Sequence, residues 1–85
     1  MIYRDINLDQ KSWMKAKSAA EFIQKASEYK SQIWIEKDCK KANAKSLLGL
    51  LAIEITPGCS LRLIAQGEDE EAVVDELGNF MIQNV

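Results

Sequence analysis

Apolar positions recur along the chain with two different periods, and the changes between them divide it into elements. Ile2, Ile6 and Leu8 share one side of an alternating stretch, the period of two expected of a half-buried strand. Arg4 breaks that side, which suits a strand near a sheet edge. Asp9 to Lys11 is polar and predicts a loop. From Ser18 the period lengthens, with Ala19, Phe22, Ile23, Ala26 and Tyr29 on one helical stripe. Ser18-Ala19-Ala20-Glu21 has the form of a capping box, and a start one turn earlier, near Ala16, is the other reading. Ile33-Trp34-Ile35-Glu36 predicts a second strand, and Lys41-Ala42-Asn43-Ala44 a third. Between them Lys37 to Lys40 occupies the place of a hairpin turn. Asp38-Cys39 is an unusual pair there, because tight hairpins favour Asp-Gly, so the cysteine implies strain or another turn type. Ser46 to Ile53 predicts a short, strongly apolar helix interrupted by Gly49, and Thr56-Pro57-Gly58 a turn. Leu61, Leu63 and Ala65 alternate as a fourth strand that Gln66-Gly67 ends. Glu68 to Glu71 then opens a last helix, where the positive end of the helix dipole favours acids. Val73, Leu77, Phe80 and Met81 form its buried stripe, with Gly78 weakening it. The order β-α-β-β-α-β-α predicts an α+β two-layer sandwich, helices on one face of an antiparallel sheet.

Eighty-five residues suffice for one domain, 1–85, with one modest core; about 63% of the unfolded surface is buried at this size. Apolar residues at 47% and charged residues at 28% are ordinary for a globular chain. Net charge is −2, and no lysine or arginine cluster offers a nucleic-acid footprint. The longest apolar run, Leu50 to Ile53, is too short to span a membrane. No apolar segment of signal-peptide type follows Met1, so a cytoplasmic location is expected. The chain contains no histidine, which removes the commonest metal ligand and the side chain titrating nearest neutral pH. Cys39 and Cys59 lie twenty positions apart and are too few for structural zinc. Two reduced thiols, no metal and no cofactor are expected.

Little in the chain suggests catalysis. A carboxylate pair is the simplest acid–base device left, and Glu68 to Glu71, Asp75 and Glu76 supply acids. Acids at a helix start more commonly serve the dipole than chemistry. No glycine-rich phosphate cradle precedes a helix, and Ser46-Leu47-Leu48-Gly49 is not a nucleophile elbow. The chain is therefore expected not to be an enzyme. Ser46 has two compatible roles. It can cap the helix that follows, and it can accept a regulatory phosphate, whose charge of about −1.5 to −2 suits the positive end of a helix. Leu47, Leu48, Leu50 and Leu51 exceed what one short helix turns inward, so at least one or two of them are expected to face solvent or a partner. Burial of all four is the alternative.

The stretch Glu36-Lys-Asp-Cys-Lys-Lys-Ala-Asn-Ala-Lys-Ser46-Leu-Leu-Gly49-Leu-Leu resembles the regulatory-serine segment of HPr, the phosphocarrier of the bacterial phosphoenolpyruvate-dependent sugar phosphotransferase system. Leu63-Ile-Ala-Gln-Gly-Glu-Asp-Glu-Glu-Ala72 resembles the last strand and helix start of the same family, with most likeness to its catabolite-repression, Crh-type members. The resemblance implies an open-faced sandwich, a four-stranded antiparallel sheet with three helices on one face. In the phosphocarriers a motif resembling His-Ala-Arg-Pro-Ala opens the first helix; the aligned residues here are Lys15-Ala16-Lys17-Ser18-Ala19. A lysine with a pKa near 10.4 is uncharged only about once in 2,500 at pH 7, so it is a poor replacement for a neutral histidine nitrogen. The resemblance therefore implies a regulatory protein that is not a histidine phosphocarrier. It would be phosphorylated at Ser46 by HPr kinase/phosphorylase and would bind a LacI-type catabolite control repressor. Family likeness places that docking surface on Leu47, Leu48 and Leu51, with Lys15 and Lys17 nearby. Neither direct nucleic-acid binding nor a membrane is implied, and the oligomeric state is left open. Two alternatives stand: a phosphocarrier with a non-histidine acceptor, and a binding module that keeps the fold but has lost both phosphorylations.

Overall fold

A computed structural model describes residues 1–7, 16–52 and 60–83, with only the backbone path at 16–19 and 83. Four strands, β1 (Ile2–Asn7), β2 (Gln32–Lys37), β3 (Lys40–Asn43) and β4 (Ser60–Gln66), form one sheet in the order β1-β4-β2-β3, every neighbouring pair antiparallel. Helices α1 (Ala16–Ala26) and α2 (Leu47–Ala52) and a last helical segment, α3, at residues 70–83 complete it. The α+β sandwich predicted from the periods is therefore the observed fold. β1 ends the described sheet, as the break at Arg4 suggested.

Alternation decides the two faces. Ile6, Ile33, Ile35, Leu61, Leu63 and Ala65 point to the helical side and are buried with Phe22, Ala26, Leu50, Val73, Leu77 and Met81. On the other side the register lines up Asp5, Arg62, Glu36 and Lys41 across all four strands, a row of alternating charge. Arg62 Nε donates to Asp5 Oδ1 at 2.8 Å and its guanidinium lies 4.1 Å from the Tyr3 ring; Lys41 Nζ lies 4.6 Å from the Trp34 ring. Between those rings Ile64 is buried although it sits on the open face, so this side of the sheet covers its own apolar residue.

Several local expectations change. α1 is helical from Ala16, which puts Ser18 inside the helix and rules out its role as the first cap. Helicity ends at Ala26, so Tyr29 packs on the core from the following turn and not from the helical stripe. Its hydroxyl donates to Glu76 at 2.8 Å, and burial, then this carboxylate, push the phenol pKa upward. The hairpin at Asp38-Cys39 is closed by two residues, Lys37 pairing with Lys40. Both central residues take positive φ, +50° and +66°, as a type I′ turn requires. The strain expected of a cysteine there is present.

The acids before α3 also act differently from expectation. The helix begins at Glu70, so Glu68 and Asp69 precede it. Asp69 reaches to the entrance of β2, accepting Lys30 N–H at 2.9 Å, Ser31 N–H at 3.0 Å and the Ser31 hydroxyl. Those bonds, the hydroxyl's first, hold its carboxyl below the ordinary carboxylate range. Gly67 adopts φ +152° against Ser31, where a Cβ would stand 2.7 Å from the Ser31 Cα. Long-range pairing across 38 residues selects this aspartate, and no local pattern marks it. Leu8 to Lys15, the Thr56-Pro57-Gly58 turn, Ile53 and Cys59 lie outside the described residues.

Candidate functional site

The segment leading into α2 is fixed link by link. Ala44, fully buried, donates its N–H to Ile33 O at 2.9 Å and carries the line of β3 one residue further. Asn43 then turns the chain, its side-chain oxygen accepting Lys45 N–H at 2.8 Å and its carbonyl accepting Ser46 N–H at 3.0 Å. Lys45 reaches back across the molecule, and its Nζ donates to Tyr29 O at 2.9 Å and Ser31 O at 3.0 Å. With residues 43–45 held in this way, Ser46 stands at the start of α2. Its Oγ accepts Gly49 N–H at 3.2 Å and its carbonyl accepts Leu50 N–H at 3.0 Å, the geometry of an N-cap.

α2 presents its leucines unequally. Leu50 is fully buried, whereas Leu47, Leu48 and Leu51 are 46%, 80% and 50% exposed. Three apolar side chains thus lie in solvent within five residues of a half-buried serine hydroxyl, in line with the expectation that at least one or two face outward. Burial of all four is excluded. Among the described residues the Ser46 oxygen has the Gly49 N–H as its partner.

The other partner-binding residues expected from the sequence are Lys15 and Lys17. Lys15 lies outside the described residues, and Lys17 contributes backbone only, in the first turn of α1. Lys45, which anchors the segment from inside, has no signal in the sequence beyond its place after the asparagine turn. Among the described residues no cluster of three or more His, Cys, Asp or Glu side chains could hold a metal ion, and Cys39 is an exposed free thiol at the hairpin tip. No helix of the described residues is long and apolar enough to cross a membrane.

Residues 2–83 match the family profile described as the PTS HPr component phosphorylation site. The chain belongs to the HPr family. HPr-like protein Crh of Bacillus subtilis (strain 168) is 36% identical over 85 residues, covering all of both chains. The crystal structure of HPr-C-His from Thermoanaerobacter tengcongensis superposes with a TM-score of 0.89 at 40% identity, over 95% of this chain and 91% of that one. Selenomethionyl Crh from Bacillus subtilis, a swapped-domain dimer in its 1.8 Å crystal structure, gives a TM-score of 0.79 at 36% identity, over 100% and 98% of the two chains. HPr and Crh proteins are phosphocarrier and regulatory proteins, not catalysts, which places this chain in a phosphotransferase and catabolite-repression family.

Proposed function

We propose that this HPr-family chain is a regulatory protein and not a histidine phosphocarrier. An HPr kinase/phosphorylase phosphorylates Ser46, and the phosphorylated form binds a LacI-type catabolite control repressor in the cytoplasm. The observation that carries this reading is the pairing of a capped serine with exposed leucines. The Ser46 hydroxyl sits at the head of α2 beside Leu47, Leu48 and Leu51, while Leu50 alone anchors the helix to the core. A phosphate there adds charge at the positive end of α2 and borders an apolar surface of the kind that interfaces use. Family likeness puts the Lys15 and Lys17 end near the docking surface, and neither residue serves as a phosphoryl carrier, since an ammonium is a poor acceptor at neutral pH. The absence of histidine supports the regulatory half of this reading, and the likeness to Crh supports the catabolite-repression half.

A second reading is favoured by one specific observation. The Ser46 hydroxyl is already used as an N-cap, so a purely structural serine in a drifted binding module would look the same. Intact-mass spectrometry after incubation with ATP and HPr kinase/phosphorylase separates the two. One phosphate on the wild type and none on Ser46→Ala is expected; no phosphate on either favours the binding module. Leu48→Ser then tests the docking surface. It should weaken repressor binding by the phosphorylated protein while changing stability by no more than about 0.5 kcal/mol, because Leu48 is 80% exposed. Enzyme I with phosphoenolpyruvate should leave the mass unchanged, and transfer onto any residue would revive the carrier alternative.

A further inference from the structure

α3 departs from regular α geometry at one place. It is α-helical at Glu70–Ala72, π-helical at Val73–Leu77 and α-helical again at Gly78–Gln83. A π turn widens the helix and takes carbonyls away from their usual donors. In an α-helix the Gly78 N–H would meet Val74 O; at the exit of the π turn it is directed instead at Asp75 O, three residues back, which leaves Val74 O without that donor. The missing donor comes from the sheet. Arg4, on the helical side of β1, places Nη1 3.2 Å from Val74 O, 3.4 Å from Asp75 O and 3.1 Å from Asn79 Oδ1. Gly78 leaves the room for it, since a Cβ there would lie 2.8 Å from Nη1 and 3.1 Å from Cδ.

Core packing does not demand the π turn. Val73, Leu77 and Met81 are all within 1% of full burial. In a regular α-helix their steps of four residues would spread them over about 80°, inside the apolar stripe of roughly 100° that a packed helix presents. Both registers keep these three on the core, and Arg4 on β1 is the side chain whose donors meet the carbonyls of the turn.

The geometry points to Arg4 as the residue that sets the register of α3, a strand-borne clamp that makes the π turn depend on β1 being docked. The facing of the residues downstream, half-buried Phe80 and exposed Ile82, follows from that turn. Amide-to-carbonyl couplings across hydrogen bonds, measured by NMR on isotopically labelled protein, report which carbonyl each amide meets. Arg4→Met keeps an apolar stem and removes every donor. Gly78→Ala leaves β1 intact, puts a methyl group 2.8 Å from Nη1 and 3.1 Å from Cδ so that Arg4 must withdraw, and is the better helix former, so it serves even where Arg4→Met does not fold. In each folded variant the Gly78 amide is expected to lose its coupling to Asp75 C=O and gain one to Val74 C=O. Retention of the parent coupling pattern in either folded variant would overturn the assignment.

Discussion

Cys39 should be a stability defect that glycine repairs. The cysteine sits at the second central position of the β2–β3 hairpin with φ +66°. The left-handed region costs an L-residue other than Gly, Asn or Asp roughly 1–2 kcal/mol. Glycine adopts that φ freely but is more flexible in the unfolded chain, which returns about 0.4–1 kcal/mol of the gain. The side chain is exposed, so little packing is lost. Cys39→Gly is therefore expected to stabilise the fold by about 0.5–1 kcal/mol, which raises the melting temperature of a domain this size by about 2–8 °C. Circular-dichroism melts and urea titrations with a reductant present measure it, and the urea slope should stay constant while the midpoint rises. Cys39→Ala is the control, because it removes the thiol and keeps the Cβ that causes the strain. Equal stability of the glycine and alanine variants would refute the argument. Asp38, at φ +50°, is a better-tolerated residue in that region, so Asp38→Asn should change little.

Gly67→Ala should act in the opposite direction. Its Cβ would meet Ser31 Oγ at 2.6 Å and Ser31 Cα at 2.7 Å, and backbone cannot step aside cheaply, so a loss of more than about 1 kcal/mol is expected in the same melts. The Asp69 carboxylate makes stability fall in acid. Its folded pKa lies below the ordinary 3.8, so its contribution is complete above that value and disappears as pH drops through the depressed one. Thermal melts between neutral pH and about pH 2 should show a shallower decline for Asp69→Asn than for the wild type. Asp5 and Glu70 are depressed in the same sense, by Arg62 and by the Gly67 N–H, so the decline should not vanish.

Local pattern was enough to order the elements. Ile33 and Ile35, or Leu61, Leu63 and Ala65, alternate because a strand turns successive side chains to opposite faces, and one face here is buried. Phe22 and Ala26 fall four residues apart because that spacing stacks them on one side of a helix. The family likeness was likewise readable from residue types alone, and Ser46 was legible as a cap because capping is a contact over three residues.

What required the tertiary structure is whatever depends on residues distant in the chain. Asp69 looked like a dipole partner at a helix start, yet it serves backbone amides 38 and 39 residues away. Arg4 read as a break in a strand, and Gly78 as a weak point in a helix. Together they form one contact at a π turn, spanning 70 residues or more. The excess of leucines in α2 showed that some must be exposed, but which ones was decided by where the sheet and α1 leave room. Leu50 alone faces inward, so that Leu47, Leu48 and Leu51 stand beside Ser46. Periodicity reports the face of an element, whereas the partner each side chain meets is set only when elements far apart in sequence are packed together.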